Sequence, residues 1–137
     1  MYYIFDASWA IGYIFLLECG YIYRIVTTNF ENDIMLQQIL LIDDDAINNF
    51  LNERIISLSG VAKEVKTFTT AEDGIHYLDS WCVQQRNKCP ELILLDISMP
   101  RLDGFDFIQI FNKLKFKKED TTIALLTSSQ DSRDINK

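Results

Sequence analysis

The stretch ELILLDISMPRLDG, residues 91–104, decides the fold. Leu92, Ile93, Leu94 and Leu95 make a continuous apolar run, the pattern of a strand covered on both faces, and such strands belong to parallel sheets flanked by helices. The run ends in Asp96. A lone carboxylate at the end of a buried strand costs several kcal/mol unless it is paired, hydrogen-bonded or metal-bound. Asp96 therefore requires partners from elsewhere in the chain. Beyond it, Pro100 and the Asp103-Gly104 pair mark a turn.

Outward from this stretch the pattern repeats. QILLID, residues 38–43, is a short apolar run that opens an acidic triplet, Asp43, Asp44 and Asp45. AINNFLNERIISLS follows with Ile47, Phe50, Leu51, Ile55 and Leu58 at helical spacing; Asp45 is placed to cap this helix and Gly60 to close it. EVKTFT is a β-rich strand, after which Thr70 can cap a helix beginning AED, whose acids suit the positive helix start. The apolar face of that helix is expected at Ile75, Leu78 and Trp81 or Cys82. After Gly104, FDFIQIFNKL places Phe107, Ile108, Phe111 and Leu114 for burial. TIALLT, residues 122–127, is a further strand, ending in Thr127, Ser128 and Ser129, and DSRDINK predicts a helix start capped by Asp131. Strands alternating with helices give repeated βαβ units and an α/β fold with a parallel sheet. Right-handed crossovers bring every strand's C-terminal end to one edge, where ligands of open α/β sheets bind.

Composition narrows the function classes. The 137 residues suit one domain with a sizeable core, and 48% hydrophobic residues exclude a disordered chain. A net charge of -7 argues against a nucleic-acid partner. The cysteines, Cys19, Cys82 and Cys89, are odd in number and lack CxxC spacing, so neither a disulfide framework nor a zinc site is expected, and a reducing, cytoplasmic setting fits. Residues 1–35 differ from the rest. An apolar run covers residues 7–17, but Asp6, Glu18 and Arg24 break the longer stretch, which weighs against a spanning helix and leaves membrane contact of residues 1–26 as the minor expectation. Met35, just before the first convincing strand, marks residues 1–35 as an apolar extension outside the domain of residues 36–137, and an alternative start at Met35 would make it non-native.

From about Leu36 onward the chain resembles the receiver domain of two-component response regulators. The resemblance rests on the acidic pair Asp43 and Asp44 after ILLI, on the block Asp96-x-x-Met99-Pro100-x-x-Asp103-Gly104, and on Thr127 after IALL, with Thr70-Ala71 and Gly74 also fitting. It implies a flavodoxin-like (CheY-like) doubly wound parallel sheet, order 2-1-3-4, with the family's fifth strand, its lysine and its fifth helix missing. That order sets the first strand beside the third and Asp43 and Asp44 beside Asp96. Two unit charges about 4 Å apart repel by roughly 4 kcal/mol at an effective dielectric near 20, a large share of a domain's roughly 5–15 kcal/mol of stability. A hard divalent cation offsets that repulsion.

The resemblance assigns the roles. Asp96 is the phosphoacceptor, Mg²⁺ is held by Asp43, Asp44, Asp96 and the backbone carbonyl of Ser98, and Thr127 is the hydroxyl that moves to the phosphoryl group. The partner is a sensor histidine kinase or a histidine phosphotransfer protein, and catalysis is limited to self-phosphorylation and self-dephosphorylation. Without the fifth-strand lysine, slow or absent phosphorylation is expected. Loss of the fifth strand also leaves the fourth as a bare apolar edge that invites aggregation or strand exchange, with the segment Tyr2 to Val26 as an alternative cover. Two alternatives stand beside this one. One is a receiver-like interaction module that is not phosphorylated; the other is an aspartate-nucleophile phosphohydrolase using Asp43, since Asp43-x-Asp45 after a strand resembles the haloacid dehalogenase motif. His76, the single histidine, is expected to be a solvated helix residue.

Overall fold

The computed structural model describes residues 2–6, 35–84 and 89–127, residues 2–6 and Thr127 as backbone. Its strands are β1 (Tyr2–Asp6), β2 (Leu36–Ile42), β3 (Ala62–Phe68), β4 (Leu92–Asp96) and β5 (Thr122–Thr127); its helices are α1 (Ala46–Ser59), α2 (Ala71–Gln84) and α3 (Gly104–Lys113). All five strands are parallel in one sheet of order β1-β5-β4-β2-β3. Counted from β2, this is the expected order 2-1-3-4. Beyond it, the position next to β5 is filled by Tyr2–Asp6. The apolar run of residues 7–17, Cys19, Ser128, Ser129 and the helix expected from Asp131 lie outside the described residues.

Period-two alternation sorts the strand side chains onto two faces. Leu40, Ile42, Ile93, Leu95, Ile123 and Leu125 pack with Leu78, Cys82, Phe107 and Phe111 of α2 and α3. Ile39, Leu41, Leu92, Leu94 and Ala124 pack with Ile56 of α1. Burial on both faces explains why β2 and β4 read as unbroken apolar runs. β3 is different: it lies at the sheet's edge and carries Lys63, Glu64 and Lys66, charges that discourage pairing with another chain.

The helix ends follow the local chemistry of the sequence. The Asp45 carboxylate accepts hydrogen bonds from the amides of Ile47 (2.8 Å) and Asn48 (3.4 Å), capping α1. Gly60, at φ 68°, closes it in the left-handed conformation that glycine adopts without a Cβ penalty. Thr70 Oγ1 accepts from the Asp73 amide at 3.1 Å at the start of α2.

The apolar residues that mark α1 as a helix are not the ones it buries. Asn49 and Ile56 face the sheet, whereas Ile47, Phe50 and Leu58 are 69%, 65% and 74% exposed. The reason lies at the sheet's C-terminal edge, where backbone carbonyls need donors that only a polar side chain on the inner face can supply. A consequence can be measured. Leu58→Lys is expected to change the unfolding free energy by no more than about 0.5 kcal/mol, and Ile56→Ala to lower it by about 2–5 kcal/mol, both read from urea denaturation.

The cysteines correct the expectation drawn from their number. Cys82, buried on α2, and Cys89, just before β4, form a disulfide with Cα atoms 5.0 Å apart. Sequence spacing missed the pair because the two cysteines meet through packing in the same core cluster and not through a local motif. Among the described residues no helix is long and apolar enough to cross a membrane.

Candidate functional site

β2 and β4 are neighbours with Ile42 opposite Leu95, so the residues that follow, Asp43 and Asp96, emerge side by side at the sheet's C-terminal edge. Asp44 joins them. One carboxylate oxygen from each of Asp43, Asp44 and Asp96 lies within 4.8 Å of the others. This is the company that the end of the buried strand required. Asp43 is 9% exposed and Asp44 is exposed, so the cluster has a dry side and a wet side.

Backbone donors fix the two inner carboxylates. Asp43 Oδ1 accepts from the Asp45 amide at 2.8 Å, and Asp96 Oδ1 accepts from the Ser98 amide at 3.1 Å. These bonds favour ionisation, but burial outweighs them at both sites. Burial, with the Asp43 and Asp44 charges adding to it, pushes the Asp96 carboxyl up to about 6. Asp43 is raised as well, by burial first and then by the Asp44 and Asp45 charges. The cluster thus holds more negative charge than its surroundings balance. Three carboxylates converging on an open, half-solvated corner match a hard cation that keeps some of its waters, which is how Mg²⁺ binds.

Asn49 was not singled out by the sequence, yet it holds this corner together. From the inner face of α1 its Nδ2 donates to the carbonyls of Asp43 (2.9 Å) and Phe68 (3.0 Å), tying the ends of β2 and β3 to the helix. The neighbouring Asn48 side chain hydrogen-bonds Asp43. The signal was the Asn-Asn pair four residues after the acids, polar where a helix packed on a sheet ordinarily buries apolar groups.

The loop after Asp96 is built to hold that residue. Leu102 N donates to Pro100 O (2.9 Å), and Arg101 takes a left-handed turn at φ 69°. Asp103 accepts from the Asp106 amide (2.8 Å) while Asp106 accepts from the Asp103 amide (3.3 Å), a reciprocal capping box that starts α3. Gly104 is demanded by close approach. A Cβ there would lie 3.0 Å from Ile97 Cα and 3.2 Å from Asp96 O.

Thr127 ends β5 at the same edge. Leu126 is opposite Asp96, and its carbonyl accepts from the Ile97 amide at 3.0 Å, so Thr127 stands one position beyond the level of Asp96, opposite Asp6 of β1. His76 is exposed on α2, away from this edge.

A family model described as the response regulator receiver domain matches residues 39–137. The chain belongs to this family. Two curated relatives of the receiver domain are the probable C4-dicarboxylate response regulator DctR of Halalkalibacterium halodurans, 32% identical over 73% of this chain and 39% of the relative, and the transcriptional regulatory protein AfsQ1 of Streptomyces coelicolor, 32% identical over 71% and 37%. This receiver chain spans about two fifths of their length. Among solved structures, a two-component response regulator from Cytophaga hutchinsonii is 34% identical with a TM-score of 0.64, covering 75% of this chain and 77% of that one. Receiver domains are signalling modules of two-component systems.

Proposed function

We propose that this receiver domain is the phosphoacceptor of a cytoplasmic phosphorelay, taking a phosphoryl group onto Asp96 from the phosphohistidine of a sensor histidine kinase or histidine phosphotransfer protein. The observation that carries the proposal is the gathering of Asp43, Asp44 and Asp96 at one sheet edge. An Asp96 oxygen attacks phosphorus, the phosphorus–nitrogen bond of the donor breaks, and the histidine nitrogen leaves with the bonding pair. Asp96 thereby becomes an aspartyl phosphate. Asp43, Asp44, Asp96 and the Ser98 carbonyl are the groups that would hold Mg²⁺, which when bound neutralises charge on the phosphoryl oxygens. The Ser98 amide keeps Asp96 oriented, and the Asp45 amide does the same for Asp43. Thr127, at the end of β5, is the residue whose hydroxyl would meet the phosphoryl group once it is attached. Against the phosphohydrolase alternative, the Asp45 carboxylate is committed to capping α1.

Incubation with Mg²⁺ and acetyl phosphate tests the proposal. A phosphoryl mass increment mapped to Asp96, even if slow to accumulate, is the expected result; labelling of Asp43, or no labelling together with no Mg²⁺ binding, would overturn it.

Metal binding should follow the acid groups. With Asp96 raised to about 6, the free site binds a proton below that pH, and Mg²⁺ must displace it. Affinity is expected to be level above pH 7 and to fall by about tenfold per pH unit below the Asp96 midpoint, with proton release on binding. Isothermal titration at several pH values in buffers of different ionisation enthalpy checks both the slope and the released proton.

A further inference from the structure

The two flanks of the sheet are built on different plans. β3 faces solvent with Lys63, Glu64 and Lys66, the charges of a strand that has only one neighbour. β5 has no such protection: its sequence is TIALLT, and Ile123, Ala124 and Leu125 are 1–2% exposed. Without a second neighbour, β5 would present a row of free amides and carbonyls on an uncharged apolar strand, a ready template for another chain. In the structure that row is met by Tyr2–Asp6. Five consecutive positions pair in parallel register, from Tyr2 opposite Ile123 to Asp6 opposite Thr127. The segment is rich in aromatic and β-branched residues, which favour strands, and it is short and acid-ended, which suits a strand that must itself become the new edge.

The connection permits this pairing within one chain. Residues 7–35, 29 in all, link Tyr2–Asp6 to β2, three strand positions away in the sheet, a span of about 14 Å that they can readily cover. At that length a tethered strand is present at an effective concentration on the order of millimolar, so an intramolecular partner outcompetes a second copy at micromolar protein.

We propose that the free edge of β5 is a strand-acceptor site, that its occupant is this chain's own N-terminal strand, and that this pairing keeps the chain from associating through β5. The proposal is independent of phosphate chemistry at Asp96. The N-terminal segment then has a structural role, as the piece that finishes the sheet beside Thr127.

The test compares the full chain with Phe5→Pro, which removes a ladder donor: Leu126 turns its carbonyl to β4, so Leu125 faces Tyr2–Asp6 and, opposite Ile4, takes its donor from Phe5. Residues 36–127 are untouched. Amide hydrogen exchange is followed along Thr122–Thr127 and mass by sedimentation velocity, with far-UV circular dichroism as the control for folding. The full chain is expected to be monomeric at micromolar concentration with protected β5 amides. In Phe5→Pro the outward β5 amides should exchange at least about tenfold faster, larger species should form, and a synthetic peptide of residues 1–6 should restore both protection and mass. Unchanged exchange and mass in Phe5→Pro would overturn the proposal. A full-length dimer with protected β5 amides would also overturn it, by placing the strand donor on a second copy.

Discussion

Asp96→Asn is expected to abolish labelling by acetyl phosphate and, at neutral pH without Mg²⁺, to make the protein harder to unfold. Both effects come from the same carboxylate. Burial, with Asp43 and Asp44 beside it, raises the Asp96 carboxyl to about 6, above its ordinary value in an unfolded chain. A group whose folded-state pKa is raised binds its proton more tightly when folded. The stability it contributes is therefore fully present below about pH 4 and drains away as pH rises through about 6. At pH 7 the ionised group is a net cost, on the order of 1–2 kcal/mol once partial solvent screening is allowed for. Asparagine carries no charge and keeps an oxygen for the Ser98 amide, so it removes the cost and retains the bond. Thermal melts should show a midpoint about 3–8 °C higher at pH 7, with the gap closing towards pH 4 or on addition of saturating Mg²⁺ to the unsubstituted protein. A variant no more stable at pH 7 than its parent would mean that the three carboxylates are not in mutual strain.

Asn49→Leu should act in the opposite direction. Leucine has nearly the same bulk and greater apolarity, so a helix held only by hydrophobic burial would tolerate or welcome it. Here it leaves the Asp43 carbonyl, buried and bonded to Asn49 Nδ2, without its donor, and takes one of two donors from the Phe68 carbonyl, which also accepts from the Asp43 amide. An unsatisfied buried carbonyl and two lost hydrogen bonds amount to about 2–4 kcal/mol. Because the released carbonyl belongs to Asp43, one of the proposed Mg²⁺ ligands, Mg²⁺ affinity should drop as well, by about 10–100-fold, as for other groups that orient ligands. Urea denaturation and metal titration on one sample separate the two losses. Full stability with normal Mg²⁺ affinity would show that the strand ends hold their places without the helix.

Much of the fold could be read from the chain because its signals are local. The apolar runs at Leu92–Asp96 and Thr122–Thr127, the caps at Asp45 and Thr70, and the stop at Gly60 each follow from a few neighbouring residues. The acids could be placed together only through strand order, which residues 38–127 supplied by resemblance, and the structure brings Asp43, Asp44 and Asp96 to one corner. What stayed hidden depends on long-range contacts. Apolar spacing in α1 marks a helix but is silent about which side faces the sheet; the inner side is set by the carbonyls at the ends of β2 and β3, the farther of them nineteen residues from Asn49. The pairing of Cys82 with Cys89 is of this kind. Cover of the bare β5 edge by the N-terminal segment was open to the sequence, but the strand Tyr2–Asp6 and its register, which span almost the whole chain, were not.

The tight seat of Gly104 has a mechanical corollary. A Cβ on Gly104 would crowd Ile97 Cα at 3.0 Å and the Asp96 carbonyl oxygen at 3.2 Å, so the backbone at Asp96 and the first residue of α3 are seated directly against each other. Gly104–Lys113 is a rod of about 15 Å, so a tilt of about 4° at its base carries its far end by about 1 Å. A displacement at Asp96 would arrive, magnified, at the opposite end of that helix.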